Sequence, residues 1–443
     1  MPNNELAKQF TPGAILRFTL PNMIMMVFMA LYTIVDGMFI SRFVGSIALS
    51  ATNMFYPVTS IQIAIGVMLA TGGSAVIAWK LGMDEHREAK EDFTCITAVA
   101  LLIGIVSAAL CILFQEQILH ILGTSPAQMP DAMAYGRIML YFSPMMFLQM
   151  LFQVFFVTAG KPHLGLGLTV LGGIANMILD YLFMGPMAMG SAGAAIATGI
   201  SYCIPAVAGL VYFFTVRTGT LYFVRFKVRP KMLLRTCANG SSEMVTNAAI
   251  AMTTFLFNVI FMKFWQEDGV AAITILLYYQ YVFSSVFMGF AMGIAPIISF
   301  KYGAGDEPQL KTLFKVGFSF VAVCSVAVYL VSMLTIRMSL SVFTEFGGPV
   351  YQLAMEGFAI FSVQFLFMGI SIFSSGVFTA FGNGVVSALI SLSRTFIFLV
   401  GSLLLLPEIW GEFGVWSAVP VAEFLGLLVS VRFLFWGRKR YRY

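Results

Sequence analysis

Apolar runs of about 20 residues or more follow one another along this chain, separated only by short charged or Gly/Pro breaks. Each run can cross roughly 30 Å of hydrocarbon as a helix. The runs are continuous and lack the two-residue alternation of barrel strands, so helices are the expected spanning element. They fall near 14–41, 52–81, 93–114, 134–158, 164–186 and 191–214, then near 233–263, 271–299, 312–337, 354–380, 385–406 and 414–435. Between the two sets, Arg217, Arg225, Lys227, Arg229, Lys231 and Arg235 interrupt the apolar pattern. The reading is an all-α integral membrane protein of twelve transmembrane helices, with an N-lobe at 1–215, a basic linker at 216–232 and a C-lobe at 233–443.

The two sets repeat one another. Lys80-Leu81-Gly82 with Asp84 and Glu85 following matches Lys301-Tyr302-Gly303 with Asp306 and Glu307 following. Thr158-Ala159-Gly160 matches Thr379-Ala380-Phe381-Gly382, and the Gly190/Gly193 turn matches Gly411/Gly414, all at an offset of 221 or 222 residues. Breakers and charges at one constant shift indicate duplication. Six helices per copy is an even number, so the copies are parallel repeats about an axis along the membrane normal, with a central cleft between two six-helix bundles.

Composition agrees: 59% of residues are hydrophobic and 10% charged, whereas soluble domains carry about 25% charged residues. With both termini placed in the cytoplasm, all 25 Lys and Arg fall on that side except Arg42, Arg137, Lys263, Arg337 and the intramembrane Arg394. The polar start of the chain lacks a cationic stretch before a short apolar core, so the first helix is expected to be kept as a signal anchor. The basic tail and the net charge of +5 need only anionic lipid headgroups as partner, not nucleic acid.

Ionised side chains within the membrane each cost roughly 2.5 to 3.5 kcal/mol and ask for a use. Five residues qualify: Asp36, Asp180, Glu243, Glu423 and Arg394. Asp36 lies one helical turn after Tyr32, and Asp180 one turn after Asn176, so each pair shares a face. Thr198 on the sixth helix would complete a cluster of oxygen ligands and hydroxyl donors. Two carboxylates in one low-dielectric pocket cannot both ionise without large cost, so one must take a proton or the pair must hold a cation. The structural alternative is a buried acid that only holds helices together. Pro21 inside the first helix removes a backbone hydrogen bond and is a candidate hinge. On the seventh helix Asn239, Glu243 and Asn247 recur every four residues, either as a cleft face that attracts cationic cargo or as an interhelical hydrogen-bond network. Arg394 and Glu423 are expected to form a structural ion pair. The three histidines and five cysteines show no metal-ligand spacing, and no soluble stretch holds a phosphate-cradling glycine loop. No cofactor, metal site or catalytic constellation is therefore expected, and the chain reads as no enzyme.

The chain resembles the multidrug and toxic compound extrusion (MATE) family, in its DinF-like and MepA-like branch. The likeness rests on Leu20-Pro21 and Val35-Asp36-Gly37 in the first helix, on Lys80-Leu81-Gly82, on Ala159-Gly160-Lys161-Pro162 and on Ser391 with Arg394. It runs the whole length of the chain. The resemblance implies a V-shaped pair of lobes in the cell membrane that exports cationic or amphipathic drugs by proton or sodium antiport, working as a monomer. It assigns the coupling ion to Asp36, Asn176, Asp180 and Thr198, with Tyr32 and Pro21 in register. Gln153 stands where that branch can carry Asn, and the region around Gln364 lacks the acid that another branch carries on its tenth helix. The alternative within the superfamily is a flippase for lipid-linked oligosaccharides, which would need a strongly cationic cavity where this chain has four acids and one arginine.

Overall fold

The computed structural model describes residues 5–44 and 46–443, without the side chains of Ser41, residues 46–50 and Ala251. The helices of the first bundle are α1 (Pro12–Phe43), α2 (Ser46–Gly82), α3 (His86–Leu113), α4 (Met129–Thr158), α5 (Pro162–Met184) and α6 (Gly190–Thr215). In the second bundle, α7 (230–265) and α8 (267–303) form one 74-residue run, Pro230–Gly303, and α9 is Glu307–Phe343. It closes with α10 (Pro349–Ala380), α11 (Gly384–Trp410) and α12 (Glu412–Tyr441). Among the described residues, eleven helical runs are long and apolar enough to span a membrane, and Pro230–Gly303 is long enough for two crossings.

Three features depart from the sequence reading. The loop expected between α7 and α8 is a kink at Gln266, whose φ of 54° and ψ of −139° turn the chain in one step. Helices begin earlier than the apolar runs because polar caps extend them beyond the hydrocarbon: Asp306 Oδ1 accepts the Gln309 N–H at 3.3 Å and starts α9 before its apolar stretch. A short helix, Gln115–Ile121, follows α3. In addition, α10 tightens to a 3₁₀ turn at Ser362–Gln364, and α11 widens to a π stretch over Ser393–Phe398.

The duplication is written in the backbone. Positive-φ turns recur 221 or 222 residues apart: Asp84 with Gly305, Gly160 with Gly382, and Gly190 with Gly411. The two bundles meet through glycines at the end that carries the basic linker. A methyl on Gly82 would run into the Phe300 backbone, and one on Gly303 into the Trp79 backbone. A methyl on Gly72 would likewise run into the backbone of Thr236 and Gly240, while its repeat equivalent Gly293 receives Thr19 of α1. Only a hydrogen side chain lets the helix axes approach this far. Toward the opposite end the bundles part, and Tyr56 on α2 and Tyr278 and Tyr281 on α8 are exposed. The result is a V whose apex is the glycine crossing.

Candidate functional site

Within the first bundle α1, α5 and α6 bring the predicted polar residues together. The carboxyls of Asp36 and Asp180 lie within hydrogen-bonding range of each other. Such a contact is a hydrogen bond only when one of the two carries a proton. Asn176, one turn before Asp180 and equally buried, donates its amide to Thr198 Oγ1 at 3.5 Å. Four oxygens of this cluster, Asp36 Oδ1, both of Asp180 and Asn176 Oδ1, are buried without a donor. Buried oxygens left without a donor are satisfied when a proton or a hard cation joins them. Tyr32 stands one turn below Asp36, its ring 5.9 Å from that of Phe28.

Two further residues near the cluster were not singled out by sequence reasoning. Tyr135 on α4 and Tyr202 on α6 both lie within electrostatic range of Asp36. Tyr202 carried a signal, being one turn after Thr198 and so on the same face. Tyr135 carried none, since aromatic residues are spread through every helix. Gln153 is withdrawn from the acids: its amide donates to Thr169 Oγ1 at 3.3 Å and to Met29 Sδ at 3.5 Å, tying α4 to α5 and α1. Pro21 is buried, and the next residue, Asn22, donates to the Gly289 carbonyl of α8 at 2.8 Å. The first helix is thus pinned to the other bundle beside its proline.

The polar stripe of α7 divides. Glu243 lines a cavity between the bundles with Thr71 and Ser74 of α2, Met288 and Met292 of α8 and Thr379 of α10. Asn239 is buried and donates to the Thr379 carbonyl of α10 at 2.8 Å. Asn247 bonds back to the Glu243 carbonyl of its own helix at 2.8 Å. Of the three, only Glu243 offers a side chain to the cavity. Arg394 and Glu423 approach to 3.5 Å with 13% and 9% of their side chains exposed, a pair held in the interior of the second bundle. Arg394 lies in the π stretch of α11, and its stem packs on Gly426 of α12.

The MatE family model matches residues 21–182 and again residues 244–404, one match in each bundle. The multidrug export protein MepA of Staphylococcus saprophyticus is 21% identical over 433 residues, covering 96% of this chain and 94% of its own. That of Staphylococcus aureus strain MSSA476 is 23% identical over 438 residues at the same coverage. Among solved structures, the outward-facing conformation of a multidrug resistance MATE family transporter of the MOP superfamily superposes with a TM-score of 0.92 at 20% identity, covering 100% of this chain and 98% of that one. A MOP superfamily transporter from Pyrococcus furiosus, described as having a binding pocket of reverse polarity, superposes at 0.90 with 20% identity over 98% and 97% of the chains. With both bundles matched by one family and the fold shared from end to end, this chain belongs to the MatE family, the multidrug and toxic compound extrusion transporters.

Proposed function

We propose that this protein exports cationic or amphipathic organic molecules across the cell membrane by antiport against protons or sodium, through alternating access, with both termini in the cytoplasm. One observation carries the coupling half of this reading: the buried oxygens of Asp36, Asn176 and Asp180 that no donor reaches. Loading it with a proton or cation neutralises a charge that a low-dielectric pocket resists, and unloading restores that charge. A ligand moves a two-state equilibrium only by its differential affinity, so a cluster whose charge changes on loading can favour one arrangement of the lobes over the other. Thr198 orients the Asn176 amide, and Tyr32, Tyr135 and Tyr202 lie within electrostatic range of Asp36. Pro21 is the hinge on α1, next to its anchor on Gly289. Glu243 supplies negative charge to the cavity between the lobes, whose methionine walls suit varied apolar cargo. Arg394 and Glu423 hold α11 to α12. A flippase for pyrophosphate-linked saccharides would need cations at the cleft, and here the one intramembrane arginine is engaged by Glu423.

The test is ethidium transport in sealed vesicles under a proton gradient and a sodium gradient imposed separately. One gradient alone should drive accumulation. Equal transport with neither gradient would sink the antiport reading.

A further inference from the structure

The segment ahead of α1 is docked, not trailing. Leu6 is fully buried and Phe10 nearly so. Lys301 Nζ donates to the Ala7 carbonyl at 3.3 Å, Gln9 Nε2 donates to Asp306 Oδ2 at 3.5 Å, and the Phe10 N–H donates to Gln309 Oε1 at 2.8 Å. All three partners belong to the α8–α9 turn of the second bundle. The same segment leans on the first bundle, because a methyl at Gly160 in the α4–α5 turn would meet Glu5 Cβ at 2.7 Å. Six residues therefore touch both bundles at their joined end.

The duplication supplies a counterpart. Arg229, which caps the start of α7, bonds Glu88 at 2.8 Å, bonds Glu91, and approaches Asp92 to 3.6 Å, all on α3 of the first bundle. Asp92 also lies 2.6 Å from Lys80, the repeat equivalent of Lys301. Each bundle's leading segment is thus fastened at the other bundle's turn between its second and third helices. Both lie beside the crossing of Gly82 and Gly303.

We propose that these crossed straps form a latch that holds the cytoplasmic end shut, and that the strap at residues 5–10 must leave the Lys301, Asp306 and Gln309 surface before the cleft can open inward. The inference rests on the alternating-access reading. Lobes that part at this end carry Gly160 away from Gln309, and a short segment anchored to both cannot follow. Of the two straps, the N-terminal one releases first. It is held by three separate hydrogen bonds, none of them an ion pair, whereas the Arg229 guanidinium pairs with the carboxylates of Glu88, Glu91 and Asp92.

The test uses the full chain with its five native cysteines replaced, reconstituted in vesicles of sorted orientation. Thr71→Cys reports inward opening, since it lies in the cleft cavity next to the Gly72 crossing. In the variant Gln9→Ala/Gln309→Ala, labelling of Thr71→Cys by an impermeant maleimide from the cytoplasmic side should rise about tenfold, the population shift expected from loss of the Gln9–Asp306 and Phe10–Gln309 hydrogen bonds. Labelling equal to the parent overturns the latch. If the parent never admits the reagent from that side under any ion or cargo condition, alternating access itself fails, and the latch with it. Independently, oxidising Gln9→Cys with Asp306→Cys should stop transport, and reductant should restore it. Failure of the pair to cross-link, or transport by the cross-linked protein at the parent rate, would overturn the proposal.

Discussion

Replacing Asp180 by Asn probes coupling with little change of shape. Asp180 is fully buried, both its carboxyl oxygens lack a donor, and its carboxyl meets that of Asp36. Two unit charges at about 4 Å repel by about 4 kcal/mol at an effective dielectric constant of 20, close to a thousandfold in population. That term makes the doubly ionised pair distinct from the loaded one. In Asp180→Asn it vanishes, and the new amide offers Asp36 Oδ1 the donor it lacks. The N-lobe then loses the repulsion that set empty apart from loaded, so the gradient acts on the lobes far less. Gradient-driven ethidium transport in proteoliposomes should fall about a hundredfold or more, to the ion-independent background. Equilibrium ethidium binding in detergent, read by fluorescence anisotropy, should stay within about a few-fold of the parent, since Asp180 lies outside the cavity that Glu243 lines. Asp36→Asn should behave alike. Parent-like gradient-driven transport by either folded variant would refute the coupling role and leave the cluster as packing.

Glu243→Gln should weaken binding of monovalent cationic cargo by about tenfold while sparing neutral cargo, because only the charge of the cavity wall changes; competition binding with a matched neutral analogue decides. Glu423→Ala leaves Arg394 buried without its partner and should destabilise the protein by about 3 kcal/mol, whereas Arg394→Met with Glu423→Leu should recover most of the loss in thermal unfolding in detergent. Phe152→Ala should cost about 4 kcal/mol. Phe152 is fully buried, its ring lies 5.4 Å from that of Phe213, and Gly209 packs against it. Phe152→Leu should cost much less, and equal melting of the two variants would show that the site collapses around the void.

The sequence by itself determined the spans, the duplication and the list of intramembrane ionisable residues. Hydrocarbon demands continuous apolar helices, and it makes every retained charge conspicuous. It also carried the i, i+4 pairs Tyr32/Asp36 and Asn176/Asp180, because residues one turn apart share a face whatever the neighbours do. Which face meets which neighbour was not legible. On helices apolar nearly all round, the periodicity that orients a soluble helix toward its core is weak, and helix crossings decide instead. Those crossings bring Asp36 to Asp180 and add Tyr135 and Tyr202. They turn Asn239 to Thr379 and Gln153 to Thr169. The duplication, so plain in turns and glycines, does not extend to the chemistry. At the repeat offset from Asp36 and Asp180 stand Phe257 or Asn258 and Gly401 or Ser402, none of them acidic. Docking of residues 5–10 on the opposite bundle likewise depended on tertiary structure. A short polar segment has no pattern to declare a partner, and the partner surface exists only once two lobes, hundreds of residues apart in sequence, have closed on their shared glycines.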